Sequence, residues 1–387
     1  MKWKIPLFKI YWEEDDIDAV SRVIKRGNYW ATGPEIEQLE KSISNFFSKK
    51  YAISFNSGTS ALHAVLLAHN IRNVEVIVPS FTFVSTANAV VLAGSKPIFA
   101  EIEDQSYGLD SDDVKEKITN KTKAIIPVHY GGAPCKEIKA LKEIADDYKL
   151  LLIEDAAESF GAKINNKLVG TFGLSAMFSF CQNKVLTTGE GGAIVTDDEK
   201  IYQKAKLIRS HGRVERSEDY FASTEDNDYI AAGYNFRMPT MVAALGISQL
   251  NKIENIVDMR RKQAKYLSEC LSKIEGIIVP KELEGHFSVY QMYTIQLKNE
   301  KTRNELQEYL SQNGIMSKIY FNPVHLKTVF RKKFAGNQEV PKTEKLSKML
   351  LTLPFYADMS KTDLDLIVST IYAFFQERTE VKNERNL

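Results

Sequence analysis

Five runs in the first part of the chain are apolar almost throughout: YAISF at 51–55, VEVIVPS at 74–80, KPIFAEI at 96–102, KAIIPVHY at 123–130 and LLLIEDAA at 150–157. A strand with one face in water alternates apolar and polar residues, whereas a strand covered on both faces need not. Between these runs lie stretches of helical composition: ALHAVLLAHN at 61–70, VSTANAVVLAG at 84–94 and the amphipathic CKEIKALKEIADDYK at 135–149. Buried strands alternating with helices predict an α/β fold built on a mainly parallel sheet. The segment MFSFCQNKVLTTGEGGAIVTDD at 177–198 adds a strand, a polar glycine-bearing loop and another strand.

After about residue 250 the texture changes. QLNKIENIVDMRRKQAKYLSECLSKI at 249–274 has the pattern of one long charged amphipathic helix. VYQMYTIQL at 289–297 alternates like a strand, and helices are expected near 302–313 and 361–377, followed by a fraying polar tail. The expected division is a large α/β domain over 1–250 and a smaller α+β domain over 251–387, with the N-terminal segment packing on the smaller one.

The chain has 387 residues and a formal charge of +1, with 44% apolar and 26% charged residues. That balance offers no broad basic surface for nucleic acid or acidic membranes. The start lacks the long apolar core of a secretory signal, and no apolar run approaches the length of a membrane span. The three cysteines, Cys135, Cys181 and Cys270, are widely spaced and form neither a CxxC pair nor a disulfide framework, so a reducing cytoplasm is expected and no metal site. Cys181 lies three residues before Lys184; a packed thiol is the more economical reading than a reactive one.

Four features carry chemistry together. Ser57-Gly58-Thr59-Ser60 joins a strand to a helix. The free N–H groups of a helix start, with a glycine permitting close approach, make a phosphate cradle, although a plain Ser/Thr N-cap has the same sequence. Asp155 ends a buried strand, where open α/β sheets place ligands. A buried carboxylate needs a cation, unless it simply caps the next helix. Phe83 supplies a flat ring just after a strand; taken alone, such a ring is expected in the core rather than as a cofactor platform. Lys184 follows Asp155 by 29 residues. Cradle, ring, acid and lysine are what pyridoxal phosphate requires: a lysine to hold its aldehyde as a Schiff base and an acid to keep its ring nitrogen protonated.

The chain resembles the DegT/DnrJ/EryC1/StrS family of nucleotide-sugar aminotransferases. IPLFKIYWEEDDIDAV, SGTSALHAVLLA, PSFTFVSTANAVVLAGSKPIF, KAIIPVHYGGAP, EDAAESFGA, FSFCQNKVLTTGEGGAIVTDD, IRSHGR, GYNFRMPTMVAALGISQL and LPFY follow in the family's order over nearly the whole length. The resemblance implies the fold-type I, aspartate aminotransferase-like architecture. It implies pyridoxal 5'-phosphate held covalently by Lys184, which also shuttles protons. Asp155 pairs with the ring nitrogen, Phe83 takes the stacking position, and Ser57, Gly58, Thr59 and Ser179 surround the phosphate. Glu158 stands where relatives often carry Gln, near the ring hydroxyl. Asn235 reaches the phosphate of a neighbouring subunit, so a homodimer with shared sites is implied. Tyr320 and His325 face the sugar or brace a structural loop.

The implied reaction moves an amino group from glutamate to a nucleotide-linked 4-keto-6-deoxy sugar. Amination at C3, or of a cyclitol, is the alternative on the same fold. A sugar dehydratase of the superfamily has histidine in place of the lysine, and a non-catalytic regulator has no need of lysine, acid and cradle together.

Overall fold

The computed structural model describes residues 3–214, 228–334 and 338–384. Its centre is a seven-stranded sheet. The strands are β1 (Tyr51–Phe55), β2 (Glu75–Pro79), β3 (Lys96–Ala100), β4 (Thr122–Ile125), β5 (Leu151–Asp155), β6 (Ser175–Ser179) and β7 (Gly192–Thr196). Their order across the sheet is β1-β7-β6-β5-β4-β2-β3. The pairs β2–β3, β2–β4, β4–β5 and β5–β6 are parallel, and β7 alone runs against its neighbours β6 and β1.

Burial on both faces explains the continuous apolar runs. Leu152, Ala176, Phe178, Ala193 and Val195 point into one core with Phe47, Leu141 and Phe160. Ile153, Met177 and Ile194 point into the other with Leu62, Val65 and Val90. Successive side chains on a strand alternate in direction, so a strand feeding two cores is apolar at every position. Full burial of each large side chain contributes about 1.5–3 kcal/mol.

A second, three-stranded sheet lies in the C-terminal part: β8 (Ile277–Ile278), β9 (Tyr293–Leu297) and β10 (Leu350–Leu353), in the order β8-β9-β10. Its core gathers Leu267, Tyr293, Leu306, Ile315, Leu353 and Ile367 together with Ile5. The N-terminal segment is tied there by backbone: Lys4 and Ile5 donate to Gly314 O, Met316 donates to Ile5 O, and Phe355 donates to Leu7 O.

Two expectations about helices need correction. The segment expected as one long helix is split into Thr240–Asn251 and Ile253–Leu271. The break falls at Lys252, whose buried side chain turns back to Asp15 and Asp16 at the start of helix Glu14–Arg26. The last helix, expected to end near 377, spans Lys361–Glu384. Among the described residues no helix is long and apolar enough to cross a membrane.

Candidate active site

The site forms where strand ends meet. Phe55 is in register with Gly192 and Gly192 with Ser179, while Met177 pairs with Asp155. The ends of β1, β5 and β6 therefore share one edge, which is where parallel α/β sheets expose their loops to ligands.

Ser57 ends the β1 loop and caps helix Gly58–Ala68, its hydroxyl accepting from the Ser60 N–H at 3.1 Å. The plain N-cap reading is thus correct for the Ser57 side chain. It leaves the Gly58 and Thr59 N–H groups at the helix start without intrahelical acceptors. A Cβ on Gly58 would lie 2.8 Å from Ser179 Cβ. The missing side chain lets the helix start sit against Ser179 and leaves two amides and a hydroxyl side by side, a donor set suited to a phosphate.

Asp155 is only 3% exposed. Its Oδ2 accepts from Thr86 Oγ1 at 2.8 Å and its Oδ1 from the Ala157 N–H at 3.2 Å. Burial pushes its carboxyl above the usual carboxylate range, against those two hydrogen bonds, and the nearby Glu158 charge adds to the rise. A cation placed against it would reverse that penalty. Thr86 was not singled out from the sequence. Its signal is the Thr82–Thr86 spacing, which lets the two hydroxyls meet at 2.9 Å.

Lys184 stands on the loop between β6 and β7. The neck of the loop is closed by Phe180 N–H to Gly191 O and Thr188 N–H to Phe180 O, both 2.9 Å. Lys184 Nζ donates to Glu158 Oε1 at 3.3 Å, and Glu158 Oε2 accepts from the Gly131 N–H at 2.9 Å. Glu158 is thus the counter-ion of the free lysine and is itself fixed by backbone.

Phe83 is 57% exposed, with its ring 6.1 Å from that of Phe321. It is not a core residue but an open aromatic face at the end of β2. Tyr320 lines a small cavity with Asn183, Gln291 and Met292, beside the lysine loop. His325 is bonded through both ring nitrogens, Nδ1 with Ser80 Oγ at 2.6 Å and Nε2 with Glu344 Oε1 at 3.2 Å. This geometry is that of a brace holding its loop to the end of β2. Asn235 is exposed, and its carbonyl lies 3.4 Å from Asn56 Nδ2, next to the cradle.

Cys181 has its Sγ 3.7 Å from Glu190 Oε1, and burial followed by that carboxylate holds its thiol above the ordinary range. It is not an activated nucleophile. Among the described residues no group of His, Cys, Asp and Glu side chains is arranged to hold a metal.

The arrangement fits pyridoxal phosphate at each of its chemical groups: amides and hydroxyl for the phosphate, a cation-seeking acid for the ring nitrogen, a lysine amine for the aldehyde. The comparisons agree. The sequence profile of the DegT/DnrJ/EryC1/StrS aminotransferase family matches residues 11–372. GDP-perosamine synthase of Escherichia coli O157:H7 is 33% identical over 92% of this chain and 93% of its own length. GDP-perosamine synthase of Vibrio cholerae is 33% identical over 96% of this chain and 99% of its own. Among solved structures, Helicobacter pylori PseC, an aminotransferase involved in the biosynthesis of pseudoaminic acid, superposes with a TM-score of 0.89 at 26% identity, covering 97% of this chain and all of that one. The chain belongs to the DegT/DnrJ/EryC1/StrS aminotransferase family and is a pyridoxal-phosphate-dependent sugar aminotransferase.

Proposed function

We propose that the protein transfers the amino group of glutamate to C4 of a nucleotide-linked 4-keto-6-deoxy sugar. The observation that carries this reading is the end-to-end match to two GDP-perosamine synthases, over 92% and 96% of the chain. Bound pyridoxal phosphate supplies an aldehyde that carries the amino group and a ring that takes up electrons. The protein's own residues do the rest. Gly58, Thr59 and Ser179 hold the phosphate, and Asp155 keeps the ring nitrogen protonated. Phe83 covers one ring face and Tyr320 borders the sugar. Lys184 Nζ is the amine that would hold the cofactor's aldehyde group, and its free amine would serve as the base that moves the proton in both half-reactions. Glu158, 3.3 Å away, accepts a hydrogen bond from the freed ammonium.

The test is a panel of nucleotide-linked keto sugars with glutamate as donor and the product position assigned by NMR. Amination at C4 of a 6-deoxy sugar is expected. Product only at C3, or only from a cyclitol, overturns the assignment. The three free cysteines accord with a reducing cytoplasm as the setting.

The reading includes a homodimer whose sites are shared through Asn235. Tyr229, Ile230 and Tyr234 near it are all exposed, as a subunit interface requires. Lys184→Ala and Asn235→Ala would each be defective alone. A mixed dimer would gather both lesions in one site and restore about half of wild-type activity in the other. Co-expression with two tags isolates that heterodimer; activity equal to the mean of the two mutant homodimers places Asn235 within its own subunit's site.

A further inference from the structure

Lys184 is held in place from outside its own loop. The turn Cys181–Lys184 is closed by the Lys184 N–H donating to Cys181 O at 2.9 Å. That turn leaves the Asn183 carbonyl facing away, and the Gln291 side-chain amide donates to it through Nε2. Gln291 is 108 residues further along the chain and only 4% exposed. Because Asn183 O can only accept, the amide orientation is dictated: nitrogen toward the carbonyl, oxygen away.

The same short segment reaches the lysine by a second path. Met292 N–H donates to Gly131 O and Val289 N–H to Gly132 O, each at 3.0 Å, and Ser288 Oγ donates to Gly132 O at 3.1 Å. Gly132 has φ +94°, and a Cβ there would lie 2.4 Å from the Gln291 backbone nitrogen, so only glycine permits this seating. Gly131 N–H in turn fixes Glu158, the counter-ion of Lys184. Segment 288–292 thus grips both the backbone before the lysine and the acid facing its amine. Ordinary loop packing has no need of a buried amide on Asn183. Among the described residues, Gln291 Oε1 has no hydrogen-bond partner.

We propose that Gln291 is a positioning residue for the transamination: its amide sets the direction in which Lys184 approaches the reacting carbon. The proposal rests on Lys184 being the reacting lysine. Gln291→Leu keeps the shape and removes the donor. Gln291→Glu puts a carboxylate against the Asn183 carbonyl, and Gln291→His returns an N–H of similar reach.

The experiment measures both half-reactions in the three loaded variants, with hydrogen exchange of the peptide spanning 181–187 as a readout independent of turnover. Borohydride reduction of the wild type, followed by peptide mapping, is the control for the lysine. Gln291→Leu is expected to lower kcat about tenfold, the equivalent of one hydrogen bond of about 1.4 kcal/mol, with KM for glutamate and sugar within about twofold. Gln291→Glu should fall further, Gln291→His should recover most of the loss, and exchange at 181–187 should speed up in the first two only. Wild-type kcat in Gln291→Leu overturns the proposal. So does a loss that appears in KM alone, or one that Gln291→His does not relieve. Borohydride label on a different lysine overturns the lysine assignment itself, whereas label on Lys184 with unchanged kcat removes only Gln291.

Discussion

Glu154 and Asp155 are neighbours on β5 and both are buried, yet they are surrounded in opposite ways. Glu154 points to the face shared with Leu152 and Ala156. It accepts from the N–H groups of Gly170, Phe172 and Gly173 at 2.6–2.7 Å and from His129 Nε2 at 3.0 Å. The Cys135 N–H donates to His129 Nδ1 at 2.9 Å, which puts the imidazole proton on Nε2, toward the carboxylate. Every donor comes from the protein, and four of them spread one buried charge. Asp155, on the other face, has two donors and a carboxyl pushed up by burial. One acid is complete and ties a loop to the sheet. The other is left short of partners at the ligand edge, which is how a protein prepares to receive a cation.

The comparison can be broken at several points. The largest effect is expected from Lys184→Ala, which removes the amine facing Glu158 and lowers transamination about a thousandfold or more while the fold persists. Steady-state assay with circular dichroism checks both halves of that statement. Asp155→Asn comes next, with a loss of at least about tenfold in kcat, since an amide supports a ring cation less well than a carboxylate by about 1.5–3 kcal/mol. A variant with wild-type kcat would remove Asp155 from the mechanism. Glu154→Gln should act on stability instead. Its amide turns N–H groups toward N–H groups, at a cost of about 3 kcal/mol in urea denaturation of the cofactor-free protein, with kcat per folded site nearly unchanged. If Glu154→Gln lost activity and kept stability, the two acids would have been assigned the wrong way round.

Much of this was legible in the sequence. The two-faced burial of the sheet makes its strands apolar throughout, and periodicity reports that directly. Lys184 and Asp155 stand out because charged side chains are uncommon beside strands that are apolar throughout. What was not legible depends on contacts across the chain. Glu154 has the same sequence surroundings as Asp155, and only the direction of its side chain separates their roles. Gln291 carries no local signal, since its partner is Asn183. Phe83 lies among apolar neighbours, and exposure shows that its ring is no part of the core. At the break, Lys252 pairs with Asp15 and Asp16, which a helical pattern read from 249 to 274 cannot include.

The difference between the two acids has a sign that depends on pH. A carboxyl whose folded value is raised costs the folded state stability. The cost is absent at low pH, where the acid is protonated folded and unfolded alike. It grows as pH rises from the unfolded value toward the raised folded one, and stays constant above. Asp155→Asn removes that cost, so the cofactor-free variant should melt above the cofactor-free wild type at neutral pH. The gap should close as pH falls to about 4.

The most direct test is therefore a pair of calorimetric thermal midpoints at neutral pH, for wild type and Asp155→Asn, each without and with pyridoxal phosphate. The substitution should raise the midpoint of the cofactor-free protein and shrink the gain on loading. A midpoint lowered in the cofactor-free protein, with the gain on loading unchanged, would contradict it and make Asp155 a scaffold residue like its neighbour.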